Sequence, residues 1–312
     1  MPPAVAIMTD EVGWHTRQLQ AALRARGGVG RCVDLADCRI DTTAAWHGLV
    51  IPGFGRELPD AVLVRGIAGG SFEQVTKRLG VLHALRELGI AVYNDARAIE
   101  RSVDKSMTSL LLHAAGVPTP PTWATESLAQ AQRIAIREGA AGHALVLKPL
   151  FGSQGKGLRL VGRVAGVHHP LPDIEGAYGA LAYLQRFIPA QEAPGFDWRV
   201  LVVGGRAVTA MRRVSRHWIH NVAQGARCEP AALTADLASL AEAAAAALGM
   251  DYAGVDLMPS RRGTQVIEVN GAAAWQGLQR VTSFNIARAI VDDLLDRRLA
   301  GAPMRTPQAR SA

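Results

Sequence analysis

Cysteine is scarce in this chain of 312 residues: Cys32, Cys38 and Cys228 are the only three. They form neither a disulfide framework nor a paired zinc motif and read as ordinary thiols of a reducing compartment. Aromatic residues make up 5 % of the chain and no long apolar run occurs. The Ala-rich run Leu237–Leu248 falls short of the roughly 18 apolar residues of a membrane span. The opening Met-Pro-Pro-Ala-Val-Ala-Ile-Met lacks the basic start of a signal peptide. Basic residues are scattered, with no basic stripe interleaved with aromatics of the kind that marks a nucleic-acid face. The expectation is a cytoplasmic protein with neither membrane nor nucleic acid as partner. Also missing are Gly-x-Ser-x-Gly, His-Glu-x-x-His and a nucleophilic cysteine context, so the chemistry needs no covalent enzyme nucleophile. His168-His169 has no second pair at ligand spacing and reads as loop surface, and His113, within an apolar helix, reads as packed.

What is present is an ordinary globular composition, 49 % apolar and 20 % charged, with 34 basic against 27 acidic residues for a net charge of +7. That length suggests two or three domains, and the sign suits a polyanionic substrate. In the first third, β-like runs (Val5–Met8, Gly48–Ile51, Ala61–Val64, Ile90–Tyr93) alternate with helical patterns (Trp14–Arg26, Ser71–Leu88), which predicts a doubly wound parallel sheet. A helix over Asp104–Ala115 stops at Gly116-Val117-Pro118, and Pro120-Pro121 reads as a stiff connector. A helix (Leu128–Glu138), a strand (Ala144–Lys148), a Gly-rich loop (Phe151–Gly157) and a strand (Leu158–Val161) follow. From Leu181 the pattern turns antiparallel: strands Leu181–Ile188, Trp198–Val203 and Ala207–Val214, a helix Ala235–Leu248, strands Tyr252–Met258 and Thr264–Val269, and a last helix Asn285–Leu299. The fold class is α/β and α+β, divided as 1–100, 101–184 and 185–303, with a disordered tail 304–312.

Three constellations carry chemistry. Lys148-Pro149-Leu150-Phe151-Gly152-Ser153-Gln154-Gly155-Lys156-Gly157 places two lysines around three glycines, whose backbone N–H groups can approach phosphate oxygens closely. It matches neither the Walker nor the dinucleotide spacing, and a surface hairpin is the competing reading. Asp256 on one strand, and Glu268 and Asn270 two apart on the next, converge on one face if the strands form a hairpin. Such hard oxygen donors suit Mg²⁺ on ATP phosphates, against a polar, solvent-facing hairpin edge. A carboxylate buried between Ile267 and Val269 needs a cation or an arginine nearby, and the metal is the favoured reading. Finally, Asp197-Trp198-Arg199 and Arg212-Arg213 lie on neighbouring strands, with Arg216, His217, His220 and Asn221 beyond. These arginines read as a clamp for phosphate or carboxylate or as a solvated sheet face.

The order of these features resembles the ATP-grasp superfamily, and within it the RimK-like glutamate ligases, from about Val62 to about Leu299. The stretches that carry the likeness are Asn94–Lys105, Lys148–Gly157 and Val266–Asn270. The resemblance implies an N-terminal domain followed by two α+β subdomains that clamp ATP. It places Lys105, Lys148 and the loop Gly152, Ser153, Gln154, Gly155, Lys156 and Gly157 on the phosphates. Gln185, Arg186, Phe187 and Ile188 become the adenine hinge, and Asp197 the ribose-side carboxylate. Asp256, Glu268 and Asn270 become ligands of Mg²⁺ or Mn²⁺, two ions in all, and Arg199, Arg213 and Asn221 groups near the γ-phosphate and an acyl phosphate.

The implied reaction activates an acid as its acyl phosphate and joins it to an amine, L-glutamate by preference. The acceptor is a small molecule or a peptide, and the enzyme a homo-oligomer. Two departures stand out. Arg186 replaces the usual hinge glutamate, and the segment after Asn270 reads Gly271-Ala272-Ala273-Ala274-Trp275-Gln276-Gly277-Leu278-Gln279. This segment faces the acceptor by the resemblance and is similar to a subgroup of tetrahydromethanopterin- or methylofuran-type cofactor biosynthesis. A ligase for another amino acid and a non-catalytic ATP-binding module are the alternatives.

Overall fold

The computed structural model describes residues 2–43, 46–152 and 154–301. The expectations for Ser153 and for the tail 304–312 lie outside the described residues. The chain begins with β1 (Ala4–Met8), α1 (Trp14–Ala25), β2 (Val29–Val33), β3 (Arg39–Ile40), β4 (Leu49–Val50), β5 (Ala61–Val64), α2 (Phe72–Glu87) and β6 (Ala91–Tyr93). Strands β2-β1-β5-β6 form one parallel sheet, while β3 and β4 pair antiparallel beside it in sequence. Val5–Met8 and Ala61–Val64 are wholly buried, as the near-continuous apolar runs of parallel strands covered on both faces require. Ser71 caps α2 and Gln74 reciprocates, a capping box that fixes the helix start. Val81, Leu82 and Leu85 of this helix enter the core, whereas Phe72, at its first turn, is exposed.

Helix α3 (Ala96–Val103) leads onward to α4 (Lys105–Ala114), β7 (Thr122–Thr125), α5 (Leu128–Ala140), β8 (Leu145–Lys148), β9 (Arg159–Val164), β10 (Val167–His169) and β11 (Ala182–Arg186). These strands make a sheet in the order β10-β9-β8-β11-β7. One face, with Leu145, Leu147, Ala182 and Leu184, packs with Ala131 and Ile134 of α5. Next come β12 (Gly195–Val203), β13 (Arg206–Ser215), β14 (Arg227–Ala231), α6 (Ala235–Leu248), β15 (Tyr252–Ser260), β16 (Gly263–Asn270) and α7 (Gln276–Gln279). Their antiparallel sheet runs β14-β13-β12-β15-β16, and α6 buries Leu237, Ala241, Ala244, Ala245 and Leu248. The Val266 N–H donates to the Pro118 carbonyl at 2.8 Å, tying the connector after α4 to β16.

Two compact units result. One comprises Glu100–Gly271 with Gly277–Ser283 and holds both five-stranded antiparallel sheets; the other joins the N-terminal sheets to residues 272–276 and 284–301. Those two short segments fall within the span that the sequence reading assigns to 185–303. In the N-terminal unit α8 (Ile286–Asp293) packs on α1, with Arg26 between Asp292 and Asp296.

Several expectations need correction. Antiparallel pairing begins before Leu181, because β8 and β9 already pair across the Gly-rich loop. The final helix ends at Asp293 and continues as a wider π turn, Leu294–Leu299. His113 is exposed, since the buried face of α4 carries Thr108, Ser109 and Leu112. His168 and His169 lie on β10 rather than in a loop.

Candidate active site

The candidate site is a cavity within the unit that contains the two antiparallel sheets. Its walls include Lys105, Lys148, the Gly-rich loop, 185–188, Asp197, Arg213, Asn221, Asp256 and Glu268. Strand register explains the gathering. Asp197 lies opposite Arg213 on β13, Arg199 opposite Asp256 on β15, and Asp256 opposite Glu268 on β16. Because side chains alternate along a strand, these residues share one face of the sheet.

Their ion pairs form one connected set. Arg213 holds Asp197 through Nε (2.7 Å) and Nη2 (2.5 Å). Arg199 grips both Asp256 oxygens through Nε and Nη2, and Arg213 Nη2 reaches Asp256 Oδ2 at 3.0 Å. Burial pushes the Asp256 carboxyl upward, but the two guanidiniums outweigh it and hold the group below the usual carboxylate range. Asp197 differs. Burial raises it to about 7, with the neighbouring Asp256 charge adding to the penalty and Arg213 offsetting only part of it.

Glu268 accepts no hydrogen bond among the described residues, and its carboxylate charge acts on Lys105 and Lys148. Lys105 and Lys148 are thus the protein cations that act on Glu268, while Arg199 and Arg213 are engaged by Asp256 and Asp197. A β-bulge opposite Asp256/Leu257 leaves Ile267 outside the pairing, and both Ile267 and Glu268 line the cavity. Asn270 Nδ2 donates to the Gly254 carbonyl (3.3 Å) and lies 3.5 Å from Asp256 Oδ2. Among the described residues no cluster of three His, Cys, Asp or Glu exists; the oxygen set here is two carboxylates and an amide. It fits a hard cation such as Mg²⁺: Glu268 is open, and a carboxylate has about four lone-pair sites, so Asp256 keeps capacity beyond its arginines.

The opposite wall comes from β8 and β11. Lys148 is set diagonally to Gln185 by the Tyr183–Lys148 register, and its Nζ donates to Gln185 Oε1 at 2.6 Å. Burial lowers Lys148 to about 8, against the partial compensation of Glu268. Asp104 caps α4 by accepting from Ser106 and Met107 N–H, which makes Lys105 the first helical residue. Lys105 Nζ donates to the Gly152 (2.7 Å) and Leu150 (3.3 Å) carbonyls, and burial lowers its pKa. The Gly-rich loop thus rests on Lys105. At its far end Gln224 Nε2 donates to the Gln154 carbonyl at 3.2 Å. Gly155 has φ +70°, and a Cβ there would stand 2.8 Å from Asn221 Oδ1, so only glycine allows that approach. Lys156 is exposed at the rim.

At the hinge the Arg186 and Phe187 N–H groups donate to the Pro121 and Ala144 carbonyls, each at 2.9 Å. The Ile188 N–H has no acceptor among the described residues. The Arg186 side chain turns to Glu138, with Nε at 3.1 Å and Nη2 at 2.6 Å from Oε2. This side chain is thus committed to a buried carboxylate. Sequence reasoning missed the apolar lining: Trp218, Ile219, Met258 and Leu158, with Trp218 edge-on to Phe187 at 5.9 Å. It also left His220 unassigned. That residue is buried, neutral through burial and the Arg213 charge with a pKa of about 4, and 4.0 Å from Asp197.

Residues 4–99 match the RimK PreATP-grasp domain and residues 102–294 the RimK-like ATP-grasp domain. A tetrahydromethanopterin:alpha-L-glutamate ligase of Methanosarcina acetivorans is 29 % identical over 92 % of this chain and 97 % of that protein. The protein of the same name from Methanocaldococcus jannaschii is 34 % identical over 76 % and 79 %. Among solved structures, the ATP-grasp ligase PsnB in complex with a precursor variant, Mg and ADP superposes with a TM-score of 0.68 at 21 % identity, covering 95 % of this chain and 99 % of that one.

Proposed function

Because the chain belongs to the RimK-like ATP-grasp family, we propose that it is an ATP-dependent carboxylate–amine ligase that joins L-glutamate to a small acid of the tetrahydromethanopterin type. The names of its relatives support both glutamate and this acceptor class. The observation that carries the reading is Glu268: a carboxylate without a hydrogen-bond partner among the described residues, beside two lysines and the Arg199–Asp256 pair, in the cavity that also holds the Ile188 N–H.

In this reading the Ile188 N–H and the Trp218 and Phe187 rings receive the adenine, and Lys105, Lys148 and the Gly152–Gly157 backbone receive the phosphates. Asp256, Glu268 and Asn270 would hold Mg²⁺, which supplies charge neutralisation on the phosphates. The acceptor carboxylate attacks the γ-phosphorus, ADP leaves, and an acyl phosphate forms. The amine of glutamate then attacks the acyl carbon, inorganic phosphate departs, and the nitrogen releases a proton as the amide forms. Arg199 and Arg213, fixed by Asp256 and Asp197, offer pre-oriented donors to the developing negative charge, which is the larger part of such catalysis. The Gly-rich loop excludes water that would otherwise hydrolyse the acyl phosphate.

The test is ADP release with a panel of amino acids and a pterin-type acid, with hydroxylamine added in parallel to trap the acyl phosphate. Glutamate alone stimulating amide formation supports the reading. Hydroxamate without a glutamate product removes glutamate and keeps the ligase.

A further inference from the structure

The unit that holds the candidate site has a second cavity, of about 450 Å³, lined by the β9–β10 turn, the β15–β16 turn, residues 142–144 and residues 186–189. Arg163, Arg261, Arg262 and Arg186 line it, and no Asp or Glu does. The turn that carries Arg261 and Arg262 is ordered by Ser260, whose Oγ accepts from the Arg262 N–H (3.1 Å) and donates to the Gly263 carbonyl (2.7 Å). Neither of these two guanidiniums makes an ion pair among the described residues. Arg163 spends one nitrogen on the Gly166 carbonyl at 3.2 Å and keeps the rest of its fork. Arg186 is neutralised by Glu138, so the uncompensated charge comes from the two turns. The Gln265 amide, also without a hydrogen-bond partner among the described residues, completes a donor-rich wall.

Three exposed guanidiniums around one concave space set up a positive field that favours an occupant with several negative charges. Guanidinium forks match carboxylate and phosphate oxygens in geometry as well as sign. We propose that this cavity binds a small polyanion bearing two or more carboxylates or phosphates, at a site distinct from the nucleotide cavity. Pro120 and residues 186–188 line both cavities, so an occupant contacts the same hinge wall that the nucleotide uses.

The test is calorimetric titration of triglutamate and of inorganic pyrophosphate into the full-length protein with ADP and constant free Mg²⁺ in excess. Binding of either probe is expected, weakened by added salt. In the Arg261→Ala/Arg262→Ala protein the Kd should rise about tenfold or more, the worth of a lost charge-assisted bond, and Arg163→Ala should weaken it as well. Affinity for ADP stays unchanged in both variants. Triglutamate alone binding assigns a carboxylate site, pyrophosphate alone a phosphate site. Absence of binding by both probes, or equal affinity in the arginine variants, overturns the proposal. Should ADP itself fail to bind, the nucleotide reading falls, and the same titration on the nucleotide-free protein still decides the second cavity.

Discussion

Arg199 stands directly opposite Asp256 across the β12–β15 pairing and holds both of its carboxylate oxygens in a buried, two-point ion pair. Truncating Arg199 leaves the buried Asp256 carboxylate with Arg213 as its remaining ion-pair partner, so the loss is that of one charge-assisted pair, about 1.5–3 kcal/mol. Arg199→Ala should lower unfolding stability by that order in denaturant titration. An unchanged midpoint would mean that the pair is not formed in solution.

Glu268 separates catalysis from stability. It has no hydrogen-bond partner among the described residues and its charge only partly offsets the burial of Lys105 and Lys148, so Glu268→Gln should lower stability by about 1 kcal/mol or less. ADP release should fall by about two orders of magnitude or more, as for the loss of a group that stabilises transition-state charge. Retained turnover with normal stability would remove Glu268 from the site.

Lys148 makes the site sensitive to alkali. Burial holds its ammonium at about 8, against an ordinary 10.5. The folded protein therefore sheds this proton near pH 8 while the unfolded chain keeps it until above pH 10. Folding bears a penalty below pH 8 that is relieved as pH rises through this window. Nucleotide binding has the opposite slope, because phosphate prefers the charged form: the Kd for ATP should rise above pH 8, with proton uptake on binding. Lys148→Met should flatten this dependence in titrations across buffers of different ionisation enthalpy. A wild-type Kd independent of pH from 7 to 9.5 would contradict the assignment.

The hinge gives a contrast between backbone and side chain. Ile188→Pro removes the free N–H and should weaken ATP by about tenfold, the worth of one hydrogen bond. Arg186→Ala should leave ATP affinity unchanged yet destabilise the fold by about 1–3 kcal/mol, since buried Glu138 keeps only the longer contact to Arg137, at 3.4 Å. Equal losses of affinity in both variants would show that the Arg186 side chain touches the nucleotide.

Much of this was legible in the residues. The parallel sheet was visible in Val5–Met8 and Ala61–Val64, whose unbroken apolar runs suit strands covered on both faces. The hairpin that aligns Asp256 with Glu268 was legible from two β-like runs around a short polar turn. The bulge at Ile267 was not, because Val266 and Val269 are both buried three residues apart, a spacing that strict alternation does not permit. Strand β14 was hidden as well: Arg227–Ala231 contains Pro230 and pairs only with β13 at the sheet edge, where proline is tolerated. The Arg186–Glu138 pair joins residues 48 positions apart, a distance at which periodicity carries no signal. The same holds for Trp218, a lone aromatic in a loop that becomes a cavity wall only through tertiary packing.

The central claim is ATP-driven addition of glutamate, and mass spectrometry of one reaction tests it most directly. Purified protein is incubated with ATP, Mg²⁺, L-glutamate and a deproteinised small-molecule extract of the host, alongside the Glu268→Gln protein. The account predicts a metabolite that gains glutamyl increments with ADP formed in step, and no such species with the variant. ATP that binds without being consumed, and an extract left unchanged, would contradict it.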